Sequence, residues 1–250
     1  MIKNTTKTRE ILHKKMINSY LDDEFYSFFT EEAIISLKKA RRIGLKNFSL
    51  SGNIVSLKMN DLISFESSLE RDYIHLLEFN SSVVTYSEQP LKIFFSVGTK
   101  KYYYVPDFYV KFNDGRKDEI IEVKYKDDLE KNKSKYQNKF KAAKLFCESN
   151  NMKFRVIDET QIRTTQLINC KFLLPYRRIK NGIDYLDVVI LEERIKHFEF
   201  ATPKNIINDS FFSEDRKAEL LYTLWYMIAN DMVSVNLDKK ITMNSQIKVL

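Results

Sequence analysis

Cysteine is scarce in this chain, with two residues, Cys147 and Cys170, among 250. They lie far apart, and the three histidines, His13, His75 and His197, show no ligand spacing, so a structural zinc site is not expected. Long apolar runs are missing too. No stretch approaches the roughly 18 residues that a membrane span needs, and the first residues lack the short apolar core of a secretory signal. The expectation is a protein of a reducing, cytoplasmic compartment.

Charge is plentiful. Lys and Arg number 41 against 34 acids, a formal +7, which fits a polyanionic partner without proving one. The excess is uneven. Residues 1 to 60 carry eleven Lys/Arg and six Asp/Glu, a balance of +5, whereas residues 171 to 250 carry twelve and eleven, a balance of +1. Any electrostatic grip on a polyanion therefore belongs mainly to the N-terminal part and the middle.

The chemistry concentrates between Tyr102 and Tyr125. Tyr102 to Phe112 is rich in aromatic and β-branched residues and reads as one strand. Asn113-Asp114-Gly115 supplies the left-handed dihedrals of a tight reversal, and Glu119 to Tyr125 reads as the returning strand. Side chains alternate faces along a strand, so Glu122 and Lys124 emerge on one side while Ile121 and Val123 point to the other. In such a hairpin Asp107 lies across from Glu122 and Lys124. Two carboxylates from neighbouring strands can share a hard cation that prefers oxygen and keeps several waters. The adjacent lysine can orient an attacking water or balance the charge that builds on a phosphate. This is the ligand set of a Mg²⁺-dependent nuclease. The competing explanation is the polar outer face of an amphipathic hairpin, with Glu122 and Lys124 a same-face pair worth under about 1 kcal/mol.

A third acid stands upstream. In Glu66 to Phe79, Leu69, Tyr73, Leu76 and Leu77 recur at helical spacing, which stacks Glu66 and Glu70 one turn apart beside the apolar stripe. Either can lean over a site, and either can be an ordinary solvated glutamate.

The order of elements from Phe65 onward is helix 66–79, strands 83–87, 91–97, 102–112 and 119–125, helix 129–149 and strand 153–158, with Gly98 marking a reversal. The long helix carries an apolar stripe of Leu129, Tyr136, Phe140, Ala143 and Phe146. Lys131, Lys133, Lys135, Lys139, Lys141 and Lys144 crowd the rest of it, a pattern that suits a phosphate backbone. It also provides the crossover that the final strand needs to lie parallel. Residues 1 to 60 read as a basic, mostly helical extension. There Thr30 caps a helix over 31–43 that stops at Gly44, and Lys38, Lys39, Arg41 and Arg42 form a basic patch, either a solvated face or a phosphate contact. Residues 61–170 are the expected core. Residues 171–250 read as a linker helix or arm over Phe172 to Lys180, a segment Tyr185 to Phe200, helices 203–209 and 213–230, and a hairpin within 232–243. Helices followed by a two-stranded wing describe a winged helix. Because Glu214 to Met227 is not basic, a docking role suits it better than DNA reading.

Helix, four strands, helix, strand, with Pro106-Asp107 on one strand and Glu122-Val123-Lys124 on the next, resembles the restriction-endonuclease-like nuclease core, an α/β fold with a mixed sheet flanked by helices. More narrowly, Glu66-Ser67-Ser68-Leu69-Glu70-Arg71-Asp72, Glu78-Phe79, Glu88-Gln89-Pro90, Tyr104-Val105-Pro106-Asp107-Phe108 and Glu122-Val123-Lys124 are similar to the TnsA endonucleases. These are subunits of the heteromeric transposases of Tn-seven-like transposons. The similarity covers roughly residues 40 to 170 and continues with Ile162-Arg163.

The resemblance implies a nucleoid-associated endonuclease that cleaves the 5′ strands at transposon ends, working with a TnsB-type transposase and a TnsC-type ATPase regulator on double-stranded DNA. It implies Mg²⁺, with Mn²⁺ as a substitute, held by Asp107, Glu122, Glu70 and the main-chain carbonyl of Val123. Lys124 is then the catalytic lysine, and Glu70 is chosen over Glu66 by its spacing to Glu78-Phe79. Some members carry Gln where Glu122 stands. Lys38, Lys39, Arg41, Arg42, Lys131, Lys135 and Arg163 are the expected DNA contacts, and Gln89 either supports the site or makes ordinary hydrogen bonds. Two alternatives stay open: a stand-alone restriction or repair nuclease, and an inactive DNA-binding adaptor.

Overall fold

The computed structural model describes residues 25–28, 50–177, 183–210 and 213–250. The chain divides into two units. One comprises the described residues up to Tyr73 with Ser82–Glu159, and the other Ile74–Ser81 with Thr160–Leu250.

The first unit contains β1 (Phe25–Phe28), β2 (Gly52–Ser56), β3 (Asp61–Phe65) and the first half of α1 (Ser68–Phe79). It continues through β4 (Val83–Glu88), β5 (Ile93–Val97), β6 (Lys100–Tyr104), β7 (Phe108–Phe112), β8 (Glu119–Val123), α2 (Lys126–Lys131), α3 (Lys133–Ser149) and β9 (Lys153–Ile157). A mixed sheet runs β4-β7-β8-β9, antiparallel except for the parallel β8–β9 pair. An antiparallel sheet runs β1-β5-β6, and β2 pairs with β3. All five residues of β8 are buried, Glu119 and Glu122 included. Ile120 and Ile121 account for its central place, since a strand covered on both faces must be largely apolar. The parallel partner β9 is reached through α3, as the crossover argument requires. Helix α3 buries Tyr136, and it places Ala142, Ala143, Phe146 and Cys147 in one apolar cluster with Leu91, Ile93, Phe95, Tyr104 and Ile120.

Two expected elements are broken. The strand predicted over 102–112 is two strands, because Pro106 has no N–H to give a ladder and restricts the residue before it. The chain therefore leaves the β1-β5-β6 sheet at Tyr104 and enters the mixed sheet at Phe108. The helix predicted over 129–149 is likewise α2 and α3. Between them Asn132 leaves helical geometry, with φ −114° and ψ 27°, and its side-chain amide donates to Asp128 Oδ1 at 2.7 Å. The reversals predicted at Gly98 and Gly115 both carry positive φ, 58° and 82°. Among the first sixty residues the described segments are strands rather than helix, consistent with the aromatic Phe25-Tyr26-Ser27-Phe28 and the β-branched Ile54-Val55. The helix predicted over 31–43, with Lys38, Lys39, Arg41 and Arg42, lies outside the described residues.

In the second unit, α4 (Glu159–Ile162), which starts at the boundary, leads to α5 (Thr165–Leu173) and a 3₁₀ turn, Leu174–Arg177. Then follow α6 (Tyr185–His197), α7 (Pro203–Ser210), α8 (Glu214–Ala229), β10 (Val233–Val235) and β11 (Ile247–Val249). Leu191, Ile206, Leu220, Leu224 and Met227 are the centre of its core. The hairpin predicted within 232–243 instead closes between β10 and β11. Asn169, 1% exposed, holds the intervening loop open: its Nδ2 donates to the carbonyls of Leu237 and Lys239, and its Oδ1 accepts from Ile241 N–H. Ile241 is thereby buried in the core rather than paired in a ladder. Among the described residues no helix is long and apolar enough to cross a membrane.

Candidate active site

Where β7 starts and β8 ends, the register pairs Phe108 with Ile121, so Asp107 and Glu122 are the next residues along the same antiparallel pair. Asp107 is pinned from its own side and from across. Its Oδ2 accepts from Val123 N–H at 2.8 Å, and its carbonyl accepts from Gln89 N–H at 2.8 Å. Gln89, directly after β4, has φ +46°, a left-handed conformation that a non-glycine residue adopts at some energetic cost, and strain of this kind gathers at functional sites.

The centre of the cluster is the Lys124 ammonium. Its Nζ is 3.0 Å from Asp107 Oδ2, 2.8 Å from Glu122 Oε1 and 3.0 Å from the carbonyl oxygen of Val123. The other oxygen of Glu122, Oε2, accepts the hydroxyl proton of Tyr104. Burial alone would lower the pKa of Lys124, but Asp107 and Glu122 more than offset it, so the ammonium stays protonated well above its ordinary range. Burial and then the charge of Asp107 push Glu122 up to about 7.

Glu70 lies in the first turn of α1. Its carboxylate accepts from Glu66 N–H at 2.8 Å and from the Ser67 hydroxyl at 2.9 Å, while the Ser67 hydroxyl accepts from Glu70 N–H at 3.1 Å. This reciprocal bonding is a capping box in all but the exact N–H it uses. Burial, then the charge of Asp107, raise Glu70 to about 7 against those hydrogen bonds. Glu66, the rival acid, accepts from the side-chain amide of Gln89 at 3.1 Å. Gln89 thus joins Asp107 through its backbone to the Glu66–Glu70 turn through its side chain.

Among the described residues, no three His, Cys, Asp or Glu side chains converge as a ready metal site. What converges is two carboxylates and a carbonyl on one positive charge. That donor set fits a hard divalent cation, which favours oxygen and retains several waters, and Lys124 Nζ stands in for it. Asp107, Glu122 and Val123 O therefore suit the expected cation, while both oxygens of Glu70 are engaged in the helix cap beside them.

Residues 80–159 match the family model for the TnsA-like endonuclease N-terminal region. This stretch is similar to the TnsA-like endonucleases. It includes Gln89, Tyr104, Asp107, Glu122 and Lys124, and it stops short of Glu66 and Glu70. No curated protein matches the chain. The mixed sheet flanked by helices fits the restriction-endonuclease-like fold expected for the TnsA-like domain.

Of the predicted DNA contacts, Lys131 and Lys135 are exposed on α2 and α3 of the TnsA-like domain, Lys131 only 4.0 Å from Asp127 and Lys135 beside the Tyr136 ring. Arg163 is exposed in the second unit. Sequence reasoning missed Tyr104 as a site residue. Nothing distinguishes it from Tyr102 and Tyr103 until the two sheets come together.

Proposed function

We propose that this protein is a divalent-cation-dependent DNA endonuclease that cleaves the 5′ strands at transposon ends as one subunit of a heteromeric transposase. The observation that carries it is the convergence of Asp107, Glu122 and the Val123 carbonyl on a single cation position in a TnsA-like domain. A bound Mg²⁺ or Mn²⁺ supplies charge neutralisation at the scissile phosphate and a water of lowered pKa.

Asp107, Glu122 and Val123 O are the residues that would hold the cation. Lys124, whose ammonium Asp107 and Glu122 hold protonated above its ordinary range, acts as a donor and counter-charge to the phosphate oxygens and not as a general base. Glu70, with its proton retained up to about 7, is the outer carboxylate, held in place by Ser67 and Glu66. Gln89 fixes Asp107 from behind. The lysines that follow Lys124 in sequence, exposed Lys126, Lys131, Lys133 and Lys135, suit the phosphate backbone entering the site.

The helices and hairpin of residues 185–250 suit a winged helix used for docking a TnsB-type transposase or TnsC-type regulator. On α8, Arg216 is paired with Asp187 and Glu219, and Lys217 with Glu214, so its cations are already neutralised within the unit. That arrangement favours a protein partner over a phosphate backbone.

The decisive experiment is reconstituted cleavage of transposon-end DNA labelled on its 5′ and 3′ strands, with and without the partner transposase. Cation-dependent 5′-strand cleavage that requires the partner and is lost in Asp107→Ala is expected. Undiminished 5′ cleavage by Asp107→Ala would overturn the assignment, and cleavage without any partner would make the protein a stand-alone nuclease.

A further inference from the structure

Tyr104 lies on β6, in the β1-β5-β6 sheet, opposite Ile93. Its hydroxyl reaches into the mixed sheet and donates to Oε2 of Glu122. The ring is 4% exposed and packed among Ile93, Phe95, Ile120 and Phe146, so it cannot readily swing away. Glu122 is consequently held by both oxygens: Oε2 inward by Tyr104, Oε1 by Lys124 at 2.8 Å on the side of Asp107. Only Val105 and Pro106 separate Tyr104 from Asp107, so one short rigid segment sets both carboxylates.

Resting on the nuclease reading above, we propose that Tyr104 is a positioning residue that keeps Oε2 of Glu122 out of the cation cradle. It thereby leaves a single Glu122 oxygen for the ion and selects against large cations. The reason is coordination chemistry. Ca²⁺ accepts six to eight oxygens and readily takes a carboxylate through both, whereas Mg²⁺ requires near-octahedral geometry and is served by one. A glutamate with one oxygen tied to a buried tyrosine serves the smaller ion.

The test is calorimetric titration of the full chain, wild type and Tyr104→Phe, with Mg²⁺, Mn²⁺ and Ca²⁺ in the absence of DNA, with circular dichroism as the check on folding. Wild type should bind Mn²⁺ more tightly than Ca²⁺, and the variant should narrow that ratio by roughly tenfold as the freed oxygen engages Ca²⁺. An unchanged ratio in a folded variant overturns the role of Tyr104 and leaves the nuclease reading standing. A wild type that binds no divalent cation overturns both. Infrared difference spectra of the wild type on Mg²⁺ addition do not depend on Tyr104→Phe folding. The band assigned to Glu122 by its loss in Glu122→Gln should show the carboxylate splitting of one-oxygen coordination, and a two-oxygen signature would refute the proposal.

Discussion

Replacing Lys124 with methionine keeps the stem and removes the charge, and the geometry says what should follow. The ammonium is 3.0 Å from Asp107 and 2.8 Å from Glu122, with the three side chains 24%, 17% and 5% exposed. Without it, two carboxylates face each other with Glu70 nearby and no counter-charge. Removing one partner of a buried ion pair costs about 3–5 kcal/mol, and the partial exposure of Lys124 puts the expected loss near about 3 kcal/mol. For a protein of this size that lowers Tm by about 6–12 °C. Two signatures separate this from lost packing. The deficit should shrink to about 1 kcal/mol near pH 5, where protonation of Glu122 and Glu70 relieves the repulsion. Millimolar Ca²⁺ or Mn²⁺ should raise the Tm of the variant more than that of the wild type, because no ammonium competes for the cradle. Thermal unfolding of both proteins at about pH 5 and about pH 8, with and without the cation, measures all of this. A deficit equal at both pH values and indifferent to cations would show that the stem, not the charge, is what Lys124 contributes.

The cation-free wild type should lose stability as pH rises from about 5 to about 7. Glu70 and Glu122, raised from 4.5 to about 7, keep protons in the folded state that the unfolded chain has already released, so the native state binds more protons across that window. A Tm that climbs through the same range in the absence of divalent ions would contradict this. In the second unit, Asn169→Ala should cost about 2 kcal/mol, since it strands the buried Ile241 N–H and releases the carbonyls of Leu237 and Lys239 from their donor. Hydrogen exchange at Ile241 should speed up selectively, and unchanged protection there would refute the clamp. Gln89→Ala should weaken cation binding several-fold by loosening Glu66 while leaving the backbone bond to Asp107 in place, readable by the same calorimetry.

Local pattern went a long way towards this protein. Period-two alternation and the Asn113-Asp114-Gly115 turn specified the β7–β8 pairing, and with it the meeting of Asp107 and Glu122, because antiparallel register follows from the turn. The parallel placement of β9 followed from the need for a crossover helix. The identities of Asp107, Glu122 and Lys124 as a group were legible because they lie on two consecutive strands.

What the sequence could not decide depends on contacts between distant segments. That Pro106 divides one apparent strand between two sheets is a matter of which partners β6 and β7 find, β5 in one case and β4 with β8 in the other. Tyr104 acquires its part only through that division, since its hydroxyl meets Glu122 across the gap between sheets. The same holds for Asn169, some 70 residues from the loop it clamps. For Glu70, spacing alone offered a carboxylate, and only the folded turn shows both its oxygens spent on Ser67 and Glu66. Residue type and local period determined which chemistry this chain can carry. Tertiary packing decided which oxygen of each carboxylate is available to carry it, because that depends on donors no local pattern brings near.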